Sequence, residues 1–271
     1  MKNLFVRTLT GIAFIGVIIG SLLTGKYTFG VLFLFIMVIG LREFFNFFNN
    51  AEISPNKWLA CAIAVLFFIT FFLVGSGVLP QISYYCLIPI FLLVFITELY
   101  RKKKFPFENM AAGILGLIYI ALPLSMISLM VFTADHEYNP SLLFALFALI
   151  WTYDSGAYLF GMTFGKHRLF ERISPKKSWE GAIGGALSAV VAAWAIAHFF
   201  MPSIALYHWI ILALITVVSA TFGDLTESLF KRQFNLKDSS NFLPGHGGIL
   251  DRFDSLFFAI PSVVLYSKLF I

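Results

Sequence analysis

Residues 205–232 read ALYHWIILALITVVSATFGDLTESLFKR, a long apolar run that ends in a cluster of charges. No Asp, Glu, Lys or Arg occurs from Ala205 to Gly223. A helix that crosses a bilayer needs about 20 predominantly apolar residues, so the segment reads as a membrane span over 205–230. Its last turns are different. Asp224, Glu227, Ser228 and Lys231 fall at i, i+3, i+4 and i+7, which puts them on one face of a helix. The span is apolar along its length and polar in a single stripe at its end.

The rest of the chain is of the same kind. Of 271 residues, 59% are hydrophobic and 12% charged, and mean hydropathy is +0.88. Soluble domains carry roughly 25% charged residues, and a soluble fold of this size has too much surface facing water to hide so much apolar area. Two cysteines, Cys61 and Cys86, exclude a secreted disulfide scaffold. The 33 phenylalanines exclude disorder.

Nine apolar segments run over 8–24, 28–48, 57–75, 81–99, 109–132, 141–163, 179–201, 205–230 and 249–270. The expected fold is all-α, a polytopic integral membrane protein with nine transmembrane helices. Residues 1–271 form one membrane domain, in which 1–140 supply apolar scaffold spans and 141–271 carry the site. The first segment follows Lys2 and Arg7, as a secretory signal would, but no small-residue cleavage site follows Thr24, so it reads as a retained span. Arg42 and Glu43 interrupt the second late. They read as its interfacial end, with Phe44, Phe45, Phe47 and Phe48 at headgroup level. There is no internal repeat and no low-complexity linker.

Loop charge sets the orientation. If the N-terminus is inside, all Lys and Arg except Lys26 and Lys268 lie in cytoplasmic segments, and the acidic loop Asp135-His136-Glu137 lies outside. Positive loops stay cytoplasmic, so the N-terminus is expected inside and the C-terminus outside. The same asymmetry explains the net charge of +5 without a nucleic-acid partner.

The first five spans hold few polar groups. The last four carry Asp154, Lys176, Lys177, Glu180, Asp224, Glu227, Asp238, Asp251 and Asp254 at or near their cytoplasmic ends, and ionisable groups at membrane depth are functional candidates by default. After the stripe of Asp224 comes a loop, 232–248, with Lys237-Asp238 and Gly245-His246-Gly247-Gly248. The last span then opens on Asp251-Arg252-Phe253-Asp254. Carboxylates from two helix ends suit Mg²⁺, which takes a few carboxylates together with phosphate oxygens and water. Lysines and arginines beside them would bind polyphosphate. Together they point to phosphoryl or nucleotidyl transfer, which works by positioning and charge neutralisation. The plainer alternative is that acids at a helix start favour its dipole and that edge cations snorkel.

A second cluster, Arg172 to Gly181, includes Ser174, Lys176, Lys177 and Ser178. Ser178 suits an N-cap, and helix N-termini beside lysines bind phosphate; an ordinary capped, positive loop would look similar. A third, Trp151 to Tyr158, carries Asp154, the lone acid of its span, for which a polar helix–helix contact is the alternative. Gly161 to His167 only superficially resembles a phosphate-binding loop, with the wrong glycine spacing and no Ser or Thr after Lys166. Gly16/Gly20 and Gly181/Gly185 have helix-packing spacing. His136, His198 and His208 have no partners at metal spacing, and neither a Ser-His-Asp arrangement nor a CxxC is present.

Residues 228–254 resemble the signature of the phosphatidate cytidylyltransferases, or CDP-diacylglycerol synthases. It runs S-x-apolar-K-R, four residues, K-D-x-small, two residues, apolar, small, x, then H-G-G-apolar-x-D-R-apolar-D. Ser228, Lys231-Arg232, Lys237-Asp238, Ser240, Leu243-Pro244, His246-Gly247-Gly248, Asp251-Arg252 and Asp254 all fall in place. The 174–181 block and the Asp154 segment are also similar to blocks of that family, whereas the first five spans match only in character. The resemblance implies conversion of CTP and phosphatidate to CDP-diacylglycerol and pyrophosphate, a requirement for Mg²⁺ with K⁺ as an assisting cation, and a homodimer in the cytoplasmic (inner) membrane with its site facing the cytoplasm. By motif, Asp224 and Asp251 would be the metal ligands and, with Lys237 and Arg252, the catalytic set. Ser174, Lys176, Lys177, Ser178, Ser228, Lys231, Arg232, Asp238, His246, Gly247, Gly248, Asp254 and Asp154 would line the substrates. Which cations hold the nucleotide and which the lipid phosphate is open, as is whether Asp154 or Asp254 touches the metal.

Two other classes compete. An ion or proton-coupled transporter would place charge at the bilayer midplane and break helices in corresponding halves, whereas here the charges sit at cytoplasmic ends in one half. A CTP-dependent lipid kinase would release phospholipid rather than CDP-lipid. The D-G-x-x-A-R pattern of a CDP-alcohol phosphotransferase is missing.

Overall fold

The computed structural model describes residues 2–49, 52–245 and 247–271, with side chains from Leu9 onward. The helices are α1 (Lys2–Thr24), α2 (Lys26–Asn46), α3 (Lys57–Gly75), α4 (Gln81–Arg101), α5 (Pro106–Val131), α6 (Ser141–Phe164), α7 (Trp179–Phe200), α8 (Leu206–Gln233) and α9 (Leu250–Phe270). Among the described residues, eight, α2 to α9, are long and apolar enough to cross a membrane, and α1 is apolar from Leu9 to Thr24. The architecture is that of an all-α integral membrane protein. Each helix lies within a few residues of a segment expected from hydropathy.

The chain divides into two compact units. The first comprises Met1–Pro140 with Leu236–Phe253, the second Ser141–Asn235 with Asp254–Ile271.

In the first unit, α2 packs on α1 and α3, and α3 on α4 and α5. Gly25 alone separates α1 from α2. Its φ of 134° is in the region that disfavours any side chain, so the two helices can reverse in one residue. Aromatic rings fill the core: Phe29, Phe33 and Phe68 are buried, and Phe29 contacts Phe33, Phe72 and Tyr138. The Tyr138 hydroxyl donates to the Leu22 carbonyl at 3.0 Å. Burial pushes this phenol up to about 12, so it stays a donor across the physiological range. Inside α5 a wider π turn, Leu117–Ala121, precedes Pro123, whose missing N–H and bulky ring disrupt the normal helical ladder.

Arg42 and Glu43 lie close to the end of α2, as expected; Phe44, Phe45 and Phe47 are buried against protein, and Glu43 beside them is only 3% exposed, while Arg42 faces outward.

In the second unit, α6 packs along α7, and α8 packs on both. Gly181 and Gly185 are the packing residues their spacing suggested. A side chain on Gly181 would meet the Ala157 carbonyl, and one on Gly185 the Tyr153 carbonyl, each at 2.7 Å. Small residues allow this approach, and it brings the Tyr153-Asp154 step against the start of α7. The outer face of α7 exposes Ile183, Leu187 and Val191, as a helix facing lipid must. Between α6 and α7, where a loop was expected, two short antiparallel strands form, β1 (Arg168–Phe170) and β2 (Ser174–Ser178). Glu180 ties the hairpin to α7. Its carboxylate accepts from the backbone N–H groups of Lys166 and His167 and pairs with His167 Nδ1 at 2.6 Å.

Candidate active site

The second unit contains a cleft of about 380 Å³, within the range of small-molecule sites. Its polar lining is Tyr153, Asp154, Lys176, Lys177, Ser178 and Asp224, and Leu169 and Met162 form part of an apolar wall. Each element supplies its residues for a local reason. Strand β2 is extended, so Lys176 and Lys177 reach different ground from adjacent positions. Ser178 ends the strand and caps α7, accepting from Gly181 N at 3.1 Å. The start of α7, with its unpaired N–H groups, is therefore fixed beside the two lysines. From α8, the Asp224 carboxylate forms an ion pair with Lys177 and accepts from Ser228 Oγ at 3.3 Å. Tyr153 hydrogen-bonds Thr221, one turn before Asp224.

Asp254 belongs to the same group, interacting electrostatically with Asp224, Asp154 and Lys177. Gly223 makes this possible, because a side chain there would strike the Asp254 carbonyl at 2.5 Å. Three carboxylates from three helices and the Lys177 ammonium thus form one interacting charged group. Farther along α8, Lys231 pairs with the fully buried Glu227, so the far end of the stripe is an internal ion pair. Ser174 begins β2, and Arg232 is exposed near the end of α8.

The signature loop and the first turn of α9 lie in the first unit. Asp251 Oδ2 accepts from Ser239 N at 2.9 Å, Gly248 N at 2.8 Å and Ser239 Oγ at 2.9 Å. Gly247 has a φ of 81°, and a side chain there would press on the Asp251 carboxylate at 2.6 Å. Gly247 is therefore required by the carboxylate it covers. Phe253, the apolar position between Arg252 and Asp254, is buried and meets Phe14 and Phe33 edge-on, which anchors the turn. Lys237, Asp238 and Arg252 are exposed. The expectation for His246 lies outside the described residues.

Glu43 is the residue that sequence reasoning missed. It accepts hydrogen bonds from Ser240 Oγ at 2.6 Å, Ile249 N at 3.0 Å, Leu250 N at 2.8 Å and Ser239 Oγ at 3.1 Å. A lone acid within an apolar helix was the available signal; the adjacent Arg42 and the phenylalanines made it look like a helix end.

Carboxylate and hydroxyl oxygens are the donors a hard divalent cation takes. Among the described residues, no group of three or more His, Cys, Asp or Glu forms a ready metal cage.

The chain matches the model of the cytidylyltransferase family over residues 5–270. It belongs to that family. Among its curated relatives is a phosphatidate cytidylyltransferase of Haemophilus influenzae, 47% identical over 134 residues, 48% of this chain and 46% of that protein. The phosphatidate cytidylyltransferase of Staphylococcus haemolyticus is 34% identical over 259 residues, covering 94% of this chain and 96% of the relative. That of Staphylococcus aureus strain COL is 33% identical over 258 residues with the same coverage. The cleft is lined by paired lysines, a capped helix start and an aspartate.

Proposed function

We propose that this chain is the enzyme its relatives are named for, transferring CMP from CTP to phosphatidate to give CDP-diacylglycerol and pyrophosphate. The observation that carries the assignment is that relatives bearing this name align with 94% of the chain. The cleft supports it, since Lys176, Lys177 and the N–H groups at the start of α7 offer positive charge where phosphates would lie.

In the reaction, a phosphatidate phosphate oxygen bonds to the α-phosphorus of CTP in line. The bond from that phosphorus to the bridging oxygen breaks, and pyrophosphate leaves with the electron pair. No side-chain nucleophile is needed. A phosphate monoester has its second pKa at about 6, so it attacks as the dianion without a strong base. Lys176, Lys177, Lys237 and Arg252 hold and orient the two phosphorylated substrates. By the signature, Asp224 and Asp251 would be the carboxylates that hold Mg²⁺. The bound cation would neutralise charge on the transferring phosphate. Ser239 N and Gly248 N fix the Asp251 carboxylate in one orientation, and Lys177 and Ser228 do the same for Asp224.

The same reading places nine helices across the cytoplasmic membrane, the N-terminus inside, the C-terminus outside and the cleft toward the cytoplasm, in a homodimer. Concentration of Lys and Arg in one set of loops supports the orientation. The test is to assay purified wild type, Asp224→Asn and Asp251→Asn for CTP-dependent CDP-diacylglycerol formation with Mg²⁺. Both variants should fold and lose about 10²-fold or more of the activity, the scale of removing one preorganised charge-stabilising group. Near-normal activity in folded protein would overturn the metal assignment.

A further inference from the structure

Glu43 lies in α2, far from the signature in sequence, yet four donors of the segment 239–250 converge on its buried carboxylate. Two of them, Ile249 N and Leu250 N, are at the start of α9. Those N–H groups have no partner within the helix and need an acceptor; Glu43 supplies it from another element, where a local cap would ordinarily do so. The other two are the Ser239 and Ser240 hydroxyls.

Ser239 joins this acid to the next. Its Oγ lies 3.1 Å from Glu43 Oε2 and 2.9 Å from Asp251 Oδ2. A hydroxyl has one proton, so it donates to one carboxylate at a time, and its position is set by both. The Ser239 N–H is committed to Asp251. Gly248 packs against both groups; a side chain there would collide with Ser239 Oγ and meet Glu43 Oε2 at 2.5 Å. Moving the Glu43 carboxylate therefore moves Ser239, Gly248 and the first turn of α9, which are the groups that aim Asp251.

We infer that Glu43 is a positioning residue for the reaction, holding the signature loop so that Asp251 presents its carboxylate to the cation. The inference rests on the assignment of Asp251 made above. Outer partners of metal ligands typically contribute about 10- to 100-fold in metal affinity or activity, and Glu43 acts through Ser239, Gly248 and the backbone of α9.

The test compares full-length wild type, Glu43→Gln, Glu43→Asp and Asp251→Asn in detergent. Glu43→Gln keeps the volume but turns an acceptor edge into an N–H₂ group facing donors. Two quantities are read: the Mg²⁺ concentration for half-maximal activity, and amide hydrogen exchange over 236–253 without Mg²⁺ or CTP. Glu43→Gln should raise the Mg²⁺ requirement about tenfold or more and speed exchange in 239–250, leaving exchange in α6 and α7 unchanged. Glu43→Asp, which keeps the charge, should recover part of both. A purely structural role would lower the yield of active protein without moving the Mg²⁺ requirement. If Glu43→Gln does not fold, Glu43→Asp decides, since it shortens the side chain without touching Asp251 or its donors, and should shift the Mg²⁺ requirement in the same direction by less. Wild-type Mg²⁺ dependence and loop exchange in the folded variant, with Asp251→Asn inactive, would overturn the inference and leave the assignment of Asp251 standing. Full activity of Asp251→Asn would instead overturn that assignment and the inference with it.

Discussion

Lys177 shows most clearly how individual residues build the site. Its ammonium pairs with Asp224 and belongs to one electrostatic group with Asp254, so it is held by acids yet lines a cleft. Lys177→Ala should reduce kcat/KM by about 10²-fold while the protein still folds, because both it and its partner Asp224 are only half-buried and neither charge is stranded away from water. Steady-state kinetics with varied CTP checks this. Lys231 should behave differently. Its partner Glu227 is fully buried, and removing one member of a buried pair strands the other charge, typically at about 3–5 kcal/mol. Lys231→Ala is therefore expected to lower the thermal unfolding temperature markedly, read by fluorescence in detergent, whereas Lys177→Ala should not. The sequence made Asp224, Asp251 and the lysines legible because charge is scarce in this chain and each was conspicuous. It concealed Glu43, because Arg42 and three phenylalanines beside a carboxylate look the same whether the helix is ending or the acid is buried. Only the distant partners, Ser239 to Leu250, distinguish the two.

Among the elements, the helices could be read directly, since an apolar run of about 20 residues matches the thickness of the hydrocarbon core. The hairpin could not. Residues 168–178 have no alternating apolar pattern, and β1 and β2 depend on Glu180 and the capped start of α7 to hold their ends. The hairpin is what delivers Lys176 and Lys177, so its anchor is functionally important. Ser178→Ala removes the N-cap acceptor and should cost about 1 kcal/mol, seen as a modest fall in thermal stability together with weaker CTP binding. Gly185→Leu should be far more damaging. Its side chain would press on the Tyr153 backbone and force α6 from α7, displacing Asp154 and Tyr153, and overpacking of this kind costs about 1–3 kcal/mol or more. Loss of activity with only local changes in hydrogen exchange in α6 and α7 is the expected signature.

For the whole molecule, charge is scarce and its placement is uneven. Apolar helices meet the demands of the bilayer, and in the second unit Asp154, Asp224, Asp254 and Lys177 form one interacting group. The orientation is testable in intact cells. In a background of Cys61→Ser and Cys86→Ser, an impermeant maleimide should label Glu137→Cys but not Lys103→Cys until the membrane is opened. The most direct measurement follows a labelled phosphorus. Purified chain is incubated with phosphatidate vesicles, Mg²⁺ and CTP labelled at either the α or the γ phosphorus, and the lipid product is separated. CMP transfer puts label in the lipid from α-labelled CTP only, with release of one pyrophosphate per CDP-diacylglycerol formed. Label in the lipid from γ-labelled CTP, or no CDP-lipid from folded protein, would refute CMP transfer.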